Sequence, residues 1–120
     1  MKYMIMMFGD AATMMETQST DWIREMIQFM QTLNENLTRS GELVDAQGLA
    51  DGSTAKTVRF TAGTPVVSDG PFAESKESVI GYWIVDVENE ARAVEIAAGV
   101  VAFTHGPIEV RRVMAGPPEV

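Results

Sequence analysis

No cysteine occurs among the 120 residues. That one absence removes disulfides, thiolate nucleophiles and thiolate-held metals together, and it suits a reducing cytoplasm, where we expect the protein to work. Histidine is nearly missing as well, with His105 the single example. No transition-metal site is therefore expected, and only Asp and Glu remain as weak ligands for a hard cation. Basic residues are scarce: 9 Lys and Arg against 17 Asp and Glu give a formal net charge of −8. Phosphate backbones and anionic membrane surfaces attract clustered Lys and Arg, so neither nucleic acid nor a membrane is an expected partner. No apolar run approaches the roughly 20 residues that a bilayer-spanning helix needs. The opening Met1-Lys2-Tyr3-Met4-Ile5-Met6-Met7-Phe8 is hydrophobic but short, and it reads as a strand rather than a targeting segment. A phosphate-cradling glycine pattern is lacking, as is a recognisable nucleophile setting, and no cofactor is expected. Internal repeats and long linkers are missing too. The chain reads as one domain over residues 1–115 with a tail over 116–120, where Gly116-Pro117-Pro118 stops regular structure.

What is present is a clear alternation of patterns. Along residues 2–8, Tyr3, Ile5 and Met7 fall on one side of a strand and Met4, Met6 and Phe8 on the other. A polar stretch over 11–19 follows, ending at Ser19 or Thr20, either of which can cap a helix. Over 21–39 the spacing becomes helical, with Trp22, Met26, Phe29, Met30, Leu33 and Leu37 on one stripe. Ser40-Gly41 is a natural stop. Residues 42–49 read as a second strand, and 57–61 and 65–68 as a half-polar hairpin turning at Ala62-Gly63-Thr64 and lying at a sheet edge. The run over 79–87 is the clearest strand, with Val79, Trp83, Val85 and Val87 on one side and Ile80, Tyr82 and Ile84 on the other. Asn89 can cap a helix from 90 to about 101, whose inner stripe is Ala93, Val94, Ile96, Ala97 and Val100. A charged edge strand over 108–113 closes the chain.

This order predicts an α+β fold: a ferredoxin-like βαββαβ arrangement with an extra hairpin, its antiparallel sheet covered by two helices on one face. Two helices cover only one face. The central strands are apolar on both, so a second copy packed sheet to sheet is the expected partner, and a homodimer follows.

The segment Asp69-Gly70-Pro71-Phe72-Ala73-Glu74-Ser75-Lys76-Glu77 is the most unusual in the chain. Proline fixes its own φ and pushes Gly70 toward extended geometry, which makes a stiff corner feeding the central strand. The nine residues closely resemble the signature of the DGPF-domain proteins within the YCII-related family. The opening Met1-Lys2-Tyr3-Met4, the internal Gly41-Glu42-Leu43-Val44 and the closing Ile108-Glu109-Val110-Arg111 are also similar to that family. The resemblance implies a dimeric α/β barrel. Some YCII-like relatives look like lyases or dehydrochlorinases that use a His–Asp pair, and their Asp carries over to Asp69. Their His lies on or just after the first strand, where this chain has Met6-Met7-Phe8-Gly9-Asp10, so the pair is broken here. Other members are associated with extracytoplasmic-function sigma factors, which implies a regulatory setting.

Each candidate residue has two readings. Asp69 is either a general base at a pocket mouth or a carboxylate that caps its own turn. Glu74, Lys76 and Glu77 form either part of a site or a solvated charge cluster. His105 is of the residue type most used to carry protons, yet a lone His in a turn is commonly incidental. Glu109 and Arg111 share a strand face, as an edge ion pair or with Arg111 aimed at an anionic ligand. Tyr82 is a candidate cavity wall and Phe72 an anchor for the corner. The nine methionines read as core filler that could also shape an adaptable pocket. Two functions compete. The first is a small-molecule-binding protein with Asp69, and His105 beside it, as acid–base catalysts of a lyase, isomerase or dehydrochlorinase type, and Gly70, Pro71, Phe72, Glu74, Lys76, Tyr82 and Arg111 around the ligand. The second is a non-enzymatic interaction or regulatory protein of a sigma-factor system.

Overall fold

A computed structural model describes residues 1–71 and 78–119. In chain order it comprises β1 (Lys2–Gly9), α1 (Ala11–Thr17), α2 (Thr20–Arg39), β2 (Leu43–Gly48), a 3₁₀ turn (Gly52–Thr54), β3 (Lys56–Thr61), β4 (Thr64–Asp69), β5 (Ser78–Asp86), α3 (Glu90–Thr104) and β6 (Ile108–Arg112). The main sheet runs β2-β5-β1-β6 with every neighbour antiparallel. That is the split-βαβ order, and the expected α+β, ferredoxin-like architecture is present. None of the described helices is long and apolar enough to cross a membrane.

Alternation along β1 and β5 decides where the core sits. Tyr3 lies opposite Val85, Ile5 opposite Trp83 and Met7 opposite Gly81, all on the helix side. With Leu37 of α2 and Ala93, Ile96, Ala97 and Val100 of α3 they form one buried cluster. Ile5, Val85 and Val100 are wholly buried, and truncating one of them to Ala would cost about 2–5 kcal/mol. Trp83 cannot be buried with an unmet N–H, and its Nε1 donates to Asn34 Oδ1 on α2 at 2.8 Å. The helices are joined where Phe103 of α3 stacks on Trp22 and Phe29 of α2, at 5.6 and 4.9 Å between ring centres.

Four local details differ from the sequence expectation. The polar stretch after β1 holds the short helix α1, started by Asp10, whose carboxylate accepts from the Thr13 N–H. A register shift at Met7/Phe8 leaves Ile80 as the extra residue of β5. Val79 therefore lies opposite Phe8 on the open face, while Ile80 packs against the core. The hairpin β3–β4 does not extend the main sheet but stands as a separate two-stranded ribbon. Finally, α3 runs on to Thr104 and its Val94 is half exposed.

Glu42, just ahead of β2, clamps this edge to α3. Its carboxylate accepts from Arg92 Nε at 2.8 Å and Nη2 at 2.9 Å, and from Ser40 Oγ at 2.8 Å. The Arg92 fork, with Ser40 behind it, holds the Glu42 carboxyl at about 2, well below its ordinary 4.5. A depressed carboxyl stabilises the fold above its unfolded pKa, and that support fades as pH falls from 4.5 toward 2. The two side chains are 18% and 38% exposed, which screens the pair to about 1–2 kcal/mol. Glu42→Gln should accordingly lower stability by that amount at pH 7 in urea unfolding, with the difference from wild type vanishing near pH 2.

His105 ends α3 in the left-handed region, at φ +59°, with its backbone N–H on Val101 O at 2.8 Å. That conformation favours glycine. His105→Gly is expected to raise stability by about 0.5–1 kcal/mol in the same assay, since the exposed ring makes no hydrogen bond among the described residues. A loss of stability instead would mean that the imidazole holds something.

Candidate functional site

The clearest hollow on the helix side is a cleft of about 290 Å³ between α1, α2 and the β2–β5 half of the sheet. Three elements supply its methionines: Met7 from β1, Met14 and Met15 from α1, and Met26 and Met30 from α2. Ile80 and Trp83 of β5 and Ala46 of β2 complete the apolar wall. The β5 bulge described above is what brings Ile80 into this wall. Gly81 leaves the floor open, since a Cβ there would sit 3.2 Å from the Gln47 carbonyl oxygen of the adjoining strand. Its neighbour Asn34 carries the polar contact. Indole N–H can only donate, so Asn34 must turn its oxygen to Trp83. The amide nitrogen of Asn34, on the cleft wall, is then a donor with no acceptor among the described residues. Among the described residues, no Asp, Glu, Lys or His side chain lines this cleft.

A second hollow, of about 270 Å³, is more polar and lies beside it, under the 3₁₀ turn. Asp10, Asp51, Ser53, Pro71 and Ser78 line it. Asp51 accepts from the Ser53 hydroxyl at 2.5 Å and the Ser53 N–H at 3.1 Å, and these bonds hold its carboxyl below the usual range. Among the described residues, no cluster of three or more His, Asp or Glu side chains is placed to hold a metal ion.

The residues singled out from sequence are scattered around these hollows rather than gathered in one. Asp69, largely exposed at the end of β4, pairs with Lys56 across the hairpin. Gly70 takes φ +92° rather than the extended geometry anticipated. Its N–H donates to Ala55 O at 2.8 Å and its carbonyl accepts from Thr57 Oγ1 at 2.7 Å, so the corner is stitched to the base of the hairpin. Pro71 reaches the polar hollow. Phe72, Glu74 and Lys76 lie outside the described residues. His105 caps α3, and no hydrogen bond or ion pair among the described residues joins it to Asp69. Tyr82 contributes to the cleft lining, while its hydroxyl donates to Asp45 Oδ2 at 2.9 Å, which pushes that hydroxyl's pKa up. Arg111 is held by both oxygens of Glu109 at 3.0 Å, the edge ion pair of the two readings above. Sequence reasoning weighs the methionines as a pocket lining but favours core packing for them, and it passes over Asn34. The signal for the cleft is the excess of methionine, which by itself is equally the mark of core packing.

The comparisons agree with this architecture. An uncharacterised protein of Rhizobium meliloti (strain 1021) is 27% identical over 101 residues, spanning 81% of this chain and 77% of that protein. The YCII-related domain matches residues 1–116, nearly the whole chain. With its split-βαβ sheet and its Asp-Gly-Pro corner feeding the central strand, the chain belongs to the YCII-related family.

Proposed function

We propose that the protein binds a small, mostly apolar organic molecule in the methionine cleft, and that it works as a homodimer. The observation that carries the first half is the lining itself. Five flexible thioethers and an indole surround about 290 Å³, the lower end of the roughly 300–1,000 Å³ usual for small-ligand sites. Thioethers are polarizable and adapt their rotamers to a flat or irregular guest. An apolar site gains specificity from a few placed polar groups, and the free amide N–H of Asn34 would select a guest carrying a carbonyl or ether oxygen on its rim. Binding is the function this lining supports, because the described residues of the wall are apolar apart from Asn34, Gln47 and Tyr82. The second half rests on the open sheet face, where Met4, Met6, Phe8, Tyr82 and Ile84 stand only half buried in the single chain. A second copy closes such a face symmetrically.

The neutral fluorophore N-phenyl-1-naphthylamine tests the cleft. The chain has two tryptophans, so Trp22→Phe leaves Trp83 as the sole donor for energy transfer. Saturable transfer from Trp83 at one probe per chain is expected, weakened at least tenfold by Ala46→Phe, which fills the wall. Unsaturable transfer, or an affinity that Ala46→Phe leaves alone, would remove the cleft as the site.

A further inference from the structure

We propose that the β3–β4 hairpin is an arm that packs its apolar face onto a second copy of this chain, an inference that rests on the homodimer just proposed. The pairing register defines the face. Val58 lies opposite Val67 and Phe60 opposite Pro65, so these four side chains share one side of the ribbon. Phe60 is 76% exposed, Val67 62% and Val58 61%. The other side carries Thr57, Arg59, Thr61, Thr64, Val66 and Ser68, five polar side chains to one apolar, so the ribbon's apolar surface lies chiefly on the Val58–Phe60 face.

A two-stranded ribbon has too little core to hold itself in water, and among the described residues this one joins no other strand. Its order comes from the base and the tip. At the base, Thr57 is buried and bonded to Gly70, and Lys56 pairs with Asp69. At the tip, Ala62 and Gly63 both take positive φ, the tight two-residue turn that matches strand twist. Ala62 adopts that conformation against its own preference. A held but uncovered ribbon is a poor ending for a lone chain and a natural one for an arm.

The dimensions say where the arm goes. The radius of gyration is 16.6 Å, against about 14 Å for a compact chain of this length. The molecule measures 49 × 48 × 18 Å, the thickness of one sheet and one helix layer. Six residues per strand give the ribbon a reach of about 20 Å, enough to account for the excess in the long directions. Packing back on its own domain would have shortened the molecule instead.

The area fits a second copy. The apolar face of one arm exposes roughly 400 Å². Two arms exchanged between two copies, each covering a like area of its partner, remove about 1,600 Å² from water, the size of a stable specific interface. A single arm on an unrelated protein would bury only about half of that, below the range for a lasting complex.

Sedimentation equilibrium of three proteins decides it: wild type, the double variant V58S/F60S, and Ile84→Lys on the open sheet face. Far-UV circular dichroism confirms that each is folded, which the exposed positions of Val58 and Phe60 favour. The dimer dissociation constant should rise at least 100-fold in V58S/F60S. A value within threefold of wild type, with Ile84→Lys still breaking the dimer, would overturn the arm while leaving the sheet pairing in place. A wild type that stays monomeric at 100 µM would remove both.

Discussion

The alternation of side chains along β1 and along β5 beyond its bulge at Ile80 is the constraint from which the remaining features follow. Tyr3, Ile5, Met7, Trp83 and Val85 must face one way for the α2–α3 layer to find its core, and the same geometry sends Met4, Met6, Phe8, Tyr82 and Ile84 the other way. The chain spends all its long helix on the first face. Nothing in the described residues covers the second, and the 18 Å thickness records the missing layer. Apolar area on that scale is costly in water. Were two copies to pair through this face, Met4, Met6, Tyr82 and Ile84 would meet uncharged at its centre, with Asp45, Glu109 and Arg111 toward the edges.

On the helix side the same sheet is covered unevenly. The α3 half is packed with small residues, Ala93 and Ala97 among them, that let the helix approach closely. Over the β2–β5 half, α1 and the first turns of α2 stand off behind methionines, and the cleft is the gap that remains. The two halves differ because branched and small side chains fit one arrangement well, whereas thioethers tolerate several. The proposed ligand cleft and the proposed dimer face lie largely on opposite faces of β5, with Trp83 on one side, Ile84 on the other and Tyr82 bordering both.

How far the sequence discloses this depends on the length over which a pattern repeats. Twenty residues of α2, with Trp22 through Leu37 on a stripe and Ser19 accepting from the Trp22 N–H, give a period that no other structure imitates. The strand order and the two apolar faces are equally legible, because alternation in β1 and β5 runs over 8 and 9 residues. Short or single-residue events are not. Seven residues of α1 turn only Ala11 and Met14 inward, too few for a period to register. The extra residue at Ile80 reverses the facing of Val79 through the pairing with Phe8, a long-range fact that neither strand carries alone. The site suffers most from this. Its wall is assembled from five elements, and each methionine viewed in its own element is ordinary core. Asp69 attracted attention through its motif, yet its position is set by Lys56, 13 residues earlier, across a hairpin whose detachment from the sheet no local pattern announces.

Small-angle X-ray scattering of the wild-type protein in dilute buffer tests the unclosed sheet face most directly, because forward scattering and radius of gyration come from one curve. Two copies of a 13.1 kDa chain should give a mass of about 26 kDa at micromolar concentration, with a radius of gyration above the 16.6 Å of the single chain. A mass of 13.1 kDa that persists at every concentration, with a radius near or below 16.6 Å, would contradict the account.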